Sequence, residues 1–130
     1  MRGFGKINKQ KKINLSNFQN KDEKQILNEA IKYHYEGNLL KASKIYKHLI
    51  EKGSENSNVF TNYGLVLINL GKLKDAEFFI RKAIQLNPKN TVAYSNLGGL
   101  LKDLGKLKDA EFFIRKAIAL NPKDSIAHAN

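Results

Sequence analysis

Apolar residues recur along this chain at three- and four-residue steps, in two alternating stripes. Between residues 57 and 70, Phe60, Tyr63, Gly64, Leu67 and Leu70 fall on one side of a helix. A second stripe follows in Leu73, Ala76, Ile80, Ala83 and Ile84, with Phe79 and Leu86 on its flank. Gly71 stands between them and supplies the left-handed conformation that ends a helix at little cost. Asn87-Pro88 stops the second helix, because proline lacks a donor and clashes with the preceding turn. The pattern predicts one helix from about Ser57 to Leu70, with Ser57 as its N-cap, and another from Leu73 to Leu86.

The same pair of stripes returns at a fixed distance. Gly71 to Lys89 reads GKLKDAEFFIRKAIQLNPK, and Gly105 to Lys123 reads GKLKDAEFFIRKAIALNPK, 34 residues on, with only Gln85 and Ala119 different. A diverged copy opens at Gly37 as GNLLKASKIYKHLIEKG, also in phase. The units are 23–56, 57–90 and 91–124, with a stub at 125–130 that begins a fourth. Small residues pair across each unit: Ala30 with Ala42, Gly64 with Ala76, Gly98 with Ala110. They let two helices approach closely as an antiparallel hairpin. The expected fold is all-α, an α-solenoid or superhelix of antiparallel helix-turn-helix repeats.

The period, an apolar residue at unit position 4, Leu or Tyr at 7, Gly or Ala at 8, Gly at 15, Ala at 20 and Pro at 32 together resemble the tetratricopeptide repeat. The resemblance covers residues 23–130. The first unit departs from it, with Ile26 at position 4, Glu29 at 7 and Ser54 in place of Pro88 and Pro122, so its exit over 52–56 is expected to be looser. Residues 1–20 are polar, have no helical period and read as a disordered basic tail ahead of an array at 21–130.

Such a resemblance implies a concave groove, lined by the first helix of each unit, that holds an extended peptide. The face opposite the packed stripe carries Asn58, Thr61, Asn62, Leu65 and Asn69 in the middle unit. In the next it carries Val92, Ser95, Asn96, Gly99, Lys102 and Asp103. Asn28, Asn62, Asn96 and Asn130 recur at one position of successive units. An amide offers an acceptor and two donors, so each can meet a peptide N–H and C=O together and read backbone in preference to side chain. The Asn series is similar to the ladder in the repeats of O-GlcNAc transferases. Near-identical units reproduce any residue, however, so repetition alone also accounts for it. A clamp for a C-terminal carboxylate wants basic residues where this chain has Val92 and Asn96.

Phe78 and Phe112 fall on the polar side of their helices, each between two lysines a turn away: Lys74 and Lys82, Lys108 and Lys116. Exposed aromatics serve as contact points, but the simpler expectation is that lysine stems lie over the rings. The net charge is +11, and six of the 23 basic residues stand in the first 21 positions, which hold no acid. An anionic partner would exploit this tail. Only three of the basic residues are Arg, however, and lysine-rich composition of this kind is also a product of coding bias, so nucleic acid is not the expected partner.

Cysteine is absent, which excludes disulfides and thiolate chemistry. His34, His48 and His128 lie in different units without a second ligand a turn away, so neither metal nor cofactor is expected. Asp75 and Glu77 are two apart on a helix and do not face each other. No catalytic constellation emerges. The expectation is a cytoplasmic protein-interaction scaffold that binds a protein or peptide partner, with no membrane span. The apolar side of 107–120 would lack a neighbour, so self-association there, a longer array, or a catalytic domain that the repeats serve as a non-catalytic arm are the alternatives.

Overall fold

A computed structural model describes residues 18–123. Among them are six helices and no strand: α1 (Glu23–Tyr35), α2 (Leu39–Glu51), α3 (Ser57–Asn69), α4 (Leu73–Leu86), α5 (Thr91–Asp103) and α6 (Leu107–Leu120). The fold is the expected all-α helical repeat. Each hairpin of first and second helix is one 34-residue unit, and the observed bounds fall within a residue of the two helices expected for the middle unit.

Local chemistry explains where the helices begin. Asp22 opens α1 with a reciprocal capping box: its carboxylate accepts from Gln25 N, and Gln25 Oε1 accepts from Asp22 N, both at 2.9 Å. Asn38, Asn56 and Asn90 cap α2, α3 and α5 through their side-chain oxygens. Ser57 is therefore not the cap expected from its place in the sequence. Asn56 takes that role, and Ser57, the first helical residue, donates its hydroxyl to Ala83 O at 2.7 Å.

The hairpins close on small residues. A Cβ at Gly64 would run into Ile80 Cγ1 and sit 3.4 Å from the Ala76 carbonyl, so α3 and α4 meet only because that atom is missing. Ala30, Ala42, Ala76, Ile80 and Ala83 are fully buried along these seams, with Leu97 and Leu101 continuing the core into α5. Successive first helices touch, α1 with α3 and α3 with α5, and no comparable contact joins successive second helices. The stack therefore curves with α1, α3 and α5 on its inner side.

Polar groups lock the second junction. Asn90 Nδ2 donates to Ser57 Oγ at 2.8 Å and to Thr61 Oγ1 at 3.0 Å, and its Oδ1 caps Ala93 N at 3.1 Å. One buried amide thus ties the start of α5 to the start of α3. All its partners are satisfied, which is what burial of polar atoms requires. Nearer the other end of the hairpins, Glu77 binds Arg81 at 3.0 Å and Lys106 at 3.6 Å.

The N-terminal border also differs from expectation. Phe18 belongs to the stretch read as a disordered tail, yet it is buried and joins the core, its ring 5.8 Å from that of His48. Lys21 adds an ion pair to Glu29 at 3.0 Å. The aromatic ring packs against the first hairpin. Residues 1–17 of the expected tail lie outside the described residues.

Candidate functional site

On the inner side, α1, α2 and α3 enclose a cleft of about 650 Å³. Asn62, Leu65 and Asn69 line it from α3, on one face at three- and four-residue steps. Ile31, His34 and Tyr35 line it from α1, and Tyr46 from α2. None of these four was read from the sequence as lining a groove; His34 was weighed there only as a metal ligand. Ile31 and Tyr35 lie three and seven residues after Asn28, so the helical period leading on from Asn28 would have found them. Tyr46 comes from a second helix, and no pattern within a first helix points to it.

The cleft is neutral and amphipathic. Ile31 and Leu65 are half-buried, whereas Tyr35 is 89% exposed and stands free at the edge. His34 meets Tyr46 edge-on, with ring centroids 6.4 Å apart. Burial holds the His34 imidazole below its usual value, which favours the neutral ring near pH 7. Burial pushes the Tyr46 phenol up to about 12, an effect the neighbouring Asn62 amide partly offsets. The Tyr46 hydroxyl nonetheless makes no hydrogen bond of full geometry.

The remaining candidates divide. Asn28, Asn62 and Asn96 occupy the sixth position of α1, α3 and α5, so the stack presents them in one register. Asn28 is exposed, and Asn62 and Asn96 are half-buried. The amide nitrogen of Asn96 is buried without a partner. One unit earlier the equivalent amide has the Tyr46 hydroxyl beside it, and the residue matching Tyr46 here is Ile80, which offers no acceptor. Asn58, Ser95, Lys102 and Asp103 are exposed but do not line the cleft. Asn130 lies outside the described residues.

Thr61 does not belong to a binding face. It is 2% exposed, donates to Ser57 O at 3.0 Å and accepts from Asn90. The helical period placed it opposite the packed stripe, but that side of α3 receives the next repeat. A second expectation also fails. Phe78 and Phe112 are 66% and 63% exposed, so lysine stems do not cover them.

Among the described residues, no helix is long and apolar enough to cross a membrane, and no three His, Cys, Asp or Glu side chains are grouped to hold a metal.

Comparison with known proteins places this geometry. No curated protein matches the chain. Among solved structures, the first tetratricopeptide domain of Spaghetti (RPAP3), bound to the HSP90 peptide SRMEEVD, is 26% identical with a TM-score of 0.73. The match covers 75% of this chain and 78% of that one. The second such domain of Spaghetti, bound to the same peptide, is 22% identical over 75% and 90% of the two chains, with a TM-score of 0.72. The Arabidopsis OM64 tetratricopeptide domain is 23% identical over 77% and 83%, with a TM-score of 0.74. The tetratricopeptide repeat family itself matches residues 71–129. The tetratricopeptide repeat signature is thus carried by residues 71–129, and the fold, shared with these tetratricopeptide structures, extends back through the diverged first hairpin.

Proposed function

We propose that this chain is a protein-interaction scaffold whose inner groove holds an extended peptide. The observation that carries this is the cleft formed by α1, α2 and α3, where Asn62 and Asn69 stand beside Ile31, Leu65 and Tyr35. Apolar walls with a few placed polar groups are the usual composition of a binding cleft. The amides supply donors and acceptors for a peptide backbone, and the walls receive alternate side chains. The two Spaghetti domains of the same fold are bound to a peptide, which supports the reading.

Their peptide ends in Glu-Glu-Val-Asp, and the lining of this cleft contains no Lys or Arg. Val92 and Asn96 stand in α5 where a carboxylate clamp would need cations. The groove is suited instead to an uncharged segment with aliphatic or aromatic side chains. The two amides of Asn62 and Asn96 are the contacts that repeat along it.

The test is binding of peptides selected on an array against the full chain. Asn62→Ala with Asn96→Ala should weaken them about thirtyfold, since each of the two lost hydrogen bonds is worth about 1 kcal/mol. Helix content by circular dichroism should not change. Undiminished binding by that folded variant would remove the groove amides from the account.

A further inference from the structure

Phe78 and Phe112 present two large aromatic faces on the side of the array away from the peptide groove. Each ring is steadied by its neighbour: Phe78 meets Phe79, and Phe112 meets Phe113, edge-on with centroids 5.1 Å apart. Their exposure is nearly the same in the second and third repeats. It is therefore a property of the repeat and not of the chain's border. The first repeat has Lys44 at this position, so the aromatic strip begins at α4.

Beside Phe78 a groove of about 670 Å³ opens between α2, the turn at residues 53–55 and α4. Its apolar floor includes Ile50, Phe60, Phe79 and Leu86, and Arg81 and Lys82 stand at its side with Glu55 opposite. Phe60 and Asn62 leave α3 on different sides, one lining each groove, so the two sites are separate. Arg81 is held by Glu77 and lies over the Phe113 ring, 5.3 Å from its centroid. One guanidinium thereby joins the groove at Phe78 to the base of the next aromatic pair. Phe112, Phe113, Arg115 and Lys116 repeat Phe78, Phe79, Arg81 and Lys82 one unit on.

We propose that this outer face docks an acidic peptide segment of a partner protein. An aromatic or branched aliphatic side chain packs beside Phe78, its flanking carboxylates face Lys82, and Phe112 with Lys116 offers the same contact to the next part of the segment. Three features support that occupant. The groove floor is apolar and ends in an uncovered ring, which is the form of an anchor pocket. The flanking cations match a chain of net charge +11 and select an anionic partner. Two equivalent anchors at one repeat spacing raise the effective concentration of the second contact once the first has formed. A nucleic acid fits less well. Arg81 and Arg115 are paired with Glu77 and Glu111, and Glu55, Asp75 and Asp109 interrupt the cations that a phosphate backbone would need in a continuous track.

The experiment is selection of a phage-displayed random dodecapeptide library on the full chain, with parallel selections on Phe78→Ser/Phe112→Ser and on Leu65→Asp. Both phenylalanines are exposed, so their variant should fold, and circular dichroism checks it. Peptides with an aromatic or branched aliphatic residue among Asp and Glu should be enriched on the wild type and on Leu65→Asp, and lost on the Phe variant. A synthetic peptide from that pool should bind roughly tenfold more weakly to the Phe variant and to Lys82→Glu/Lys116→Glu. It should also weaken as salt rises. The idea is overturned if the Phe variant enriches the same peptides, if no acidic peptides emerge, or if a fifteen-nucleotide oligo(dT) binds the chain more tightly than the selected peptide. Loss of acidic peptides on Leu65→Asp alone would assign them to the inner groove instead.

Discussion

Helices α4 and α6 are the same fourteen-residue sequence except for Gln85 and Ala119, yet they sit in different environments. Ile80 in α4 is fully buried, and its twin Ile114 in α6 is 39% exposed. Ile84 is half-buried, whereas Ile118 is 45% exposed. Leu73 is half-buried and Leu107 is exposed. The difference is the neighbour: α4 packs against α5 as well as α3, whereas among the described residues α6 packs on α5, with the Arg81 side chain reaching it from α4. The apolar stripe of a repeat thus states what can be buried, and the adjoining hairpin decides what is. Phe78 and Phe112 behave differently, being open in both helices, which is why they read as surface and the isoleucines as unfinished core.

The largest expected effect comes from the isoleucines. Ile80→Ala removes three fully buried carbons' worth of packing at the seam with Gly64 and should cost about 3 kcal/mol in urea unfolding, within the range of buried aliphatic truncations. Ile114→Ala should cost about 1 kcal/mol or less, since much of that side chain already meets water. Equal losses at the two positions would mean that α6 is covered in solution. A smaller effect separates the glycines opposite them. Gly64→Ala forces a methyl into the buried Ile80, and overpacking of about 1–3 kcal/mol exceeds the roughly 1 kcal/mol gained in helix propensity. At Gly98 the new methyl meets Ile114 Cγ1 at 2.5 Å and the Ala110 carbonyl at 3.3 Å, but the Ile114 side chain is partly exposed and can turn away, so Gly98→Ala should cost less than Gly64→Ala. The same unfolding curves measure both.

Much of this architecture was legible in the sequence because its signals are local. The 34-residue period, the apolar stripes and the glycines that end α1, α3 and α5 each depend on residues within a few positions of one another. What was not legible depends on residues far apart in the chain. The Asn90 amide meets Ser57 and Thr61, 33 and 29 residues earlier, and nothing around Thr61 alone shows that this side of α3 is closed by the next repeat. The same holds for Tyr46, which enters the inner cleft from a second helix. Phe18 was passed over because it stands alone in a polar stretch, without the period that would mark it as core. Of the binding face, the Asn62, Leu65 and Asn69 row survives as a wall of the cleft, since helical geometry alone puts those three together.

The exposed rings carry a related lesson. A lysine a turn away on either side does not cover a phenylalanine unless the stem turns onto the ring. Here it is Arg81, fixed by Glu77, that reaches an aromatic face, and the face belongs to Phe113 of the next repeat. Side-chain cover, like burial, is settled between units.

Amide hydrogen exchange in α4 and α6 gives the most direct measurement. Their sequences are so alike that the unprotected rates are nearly equal, and any difference in protection reports the surroundings alone. If stacking on a neighbour sets the stability of each hairpin, amides in α4 will exchange at least about tenfold more slowly than their twins in α6, with α6 opening first. Indistinguishable protection in the two helices would contradict that account.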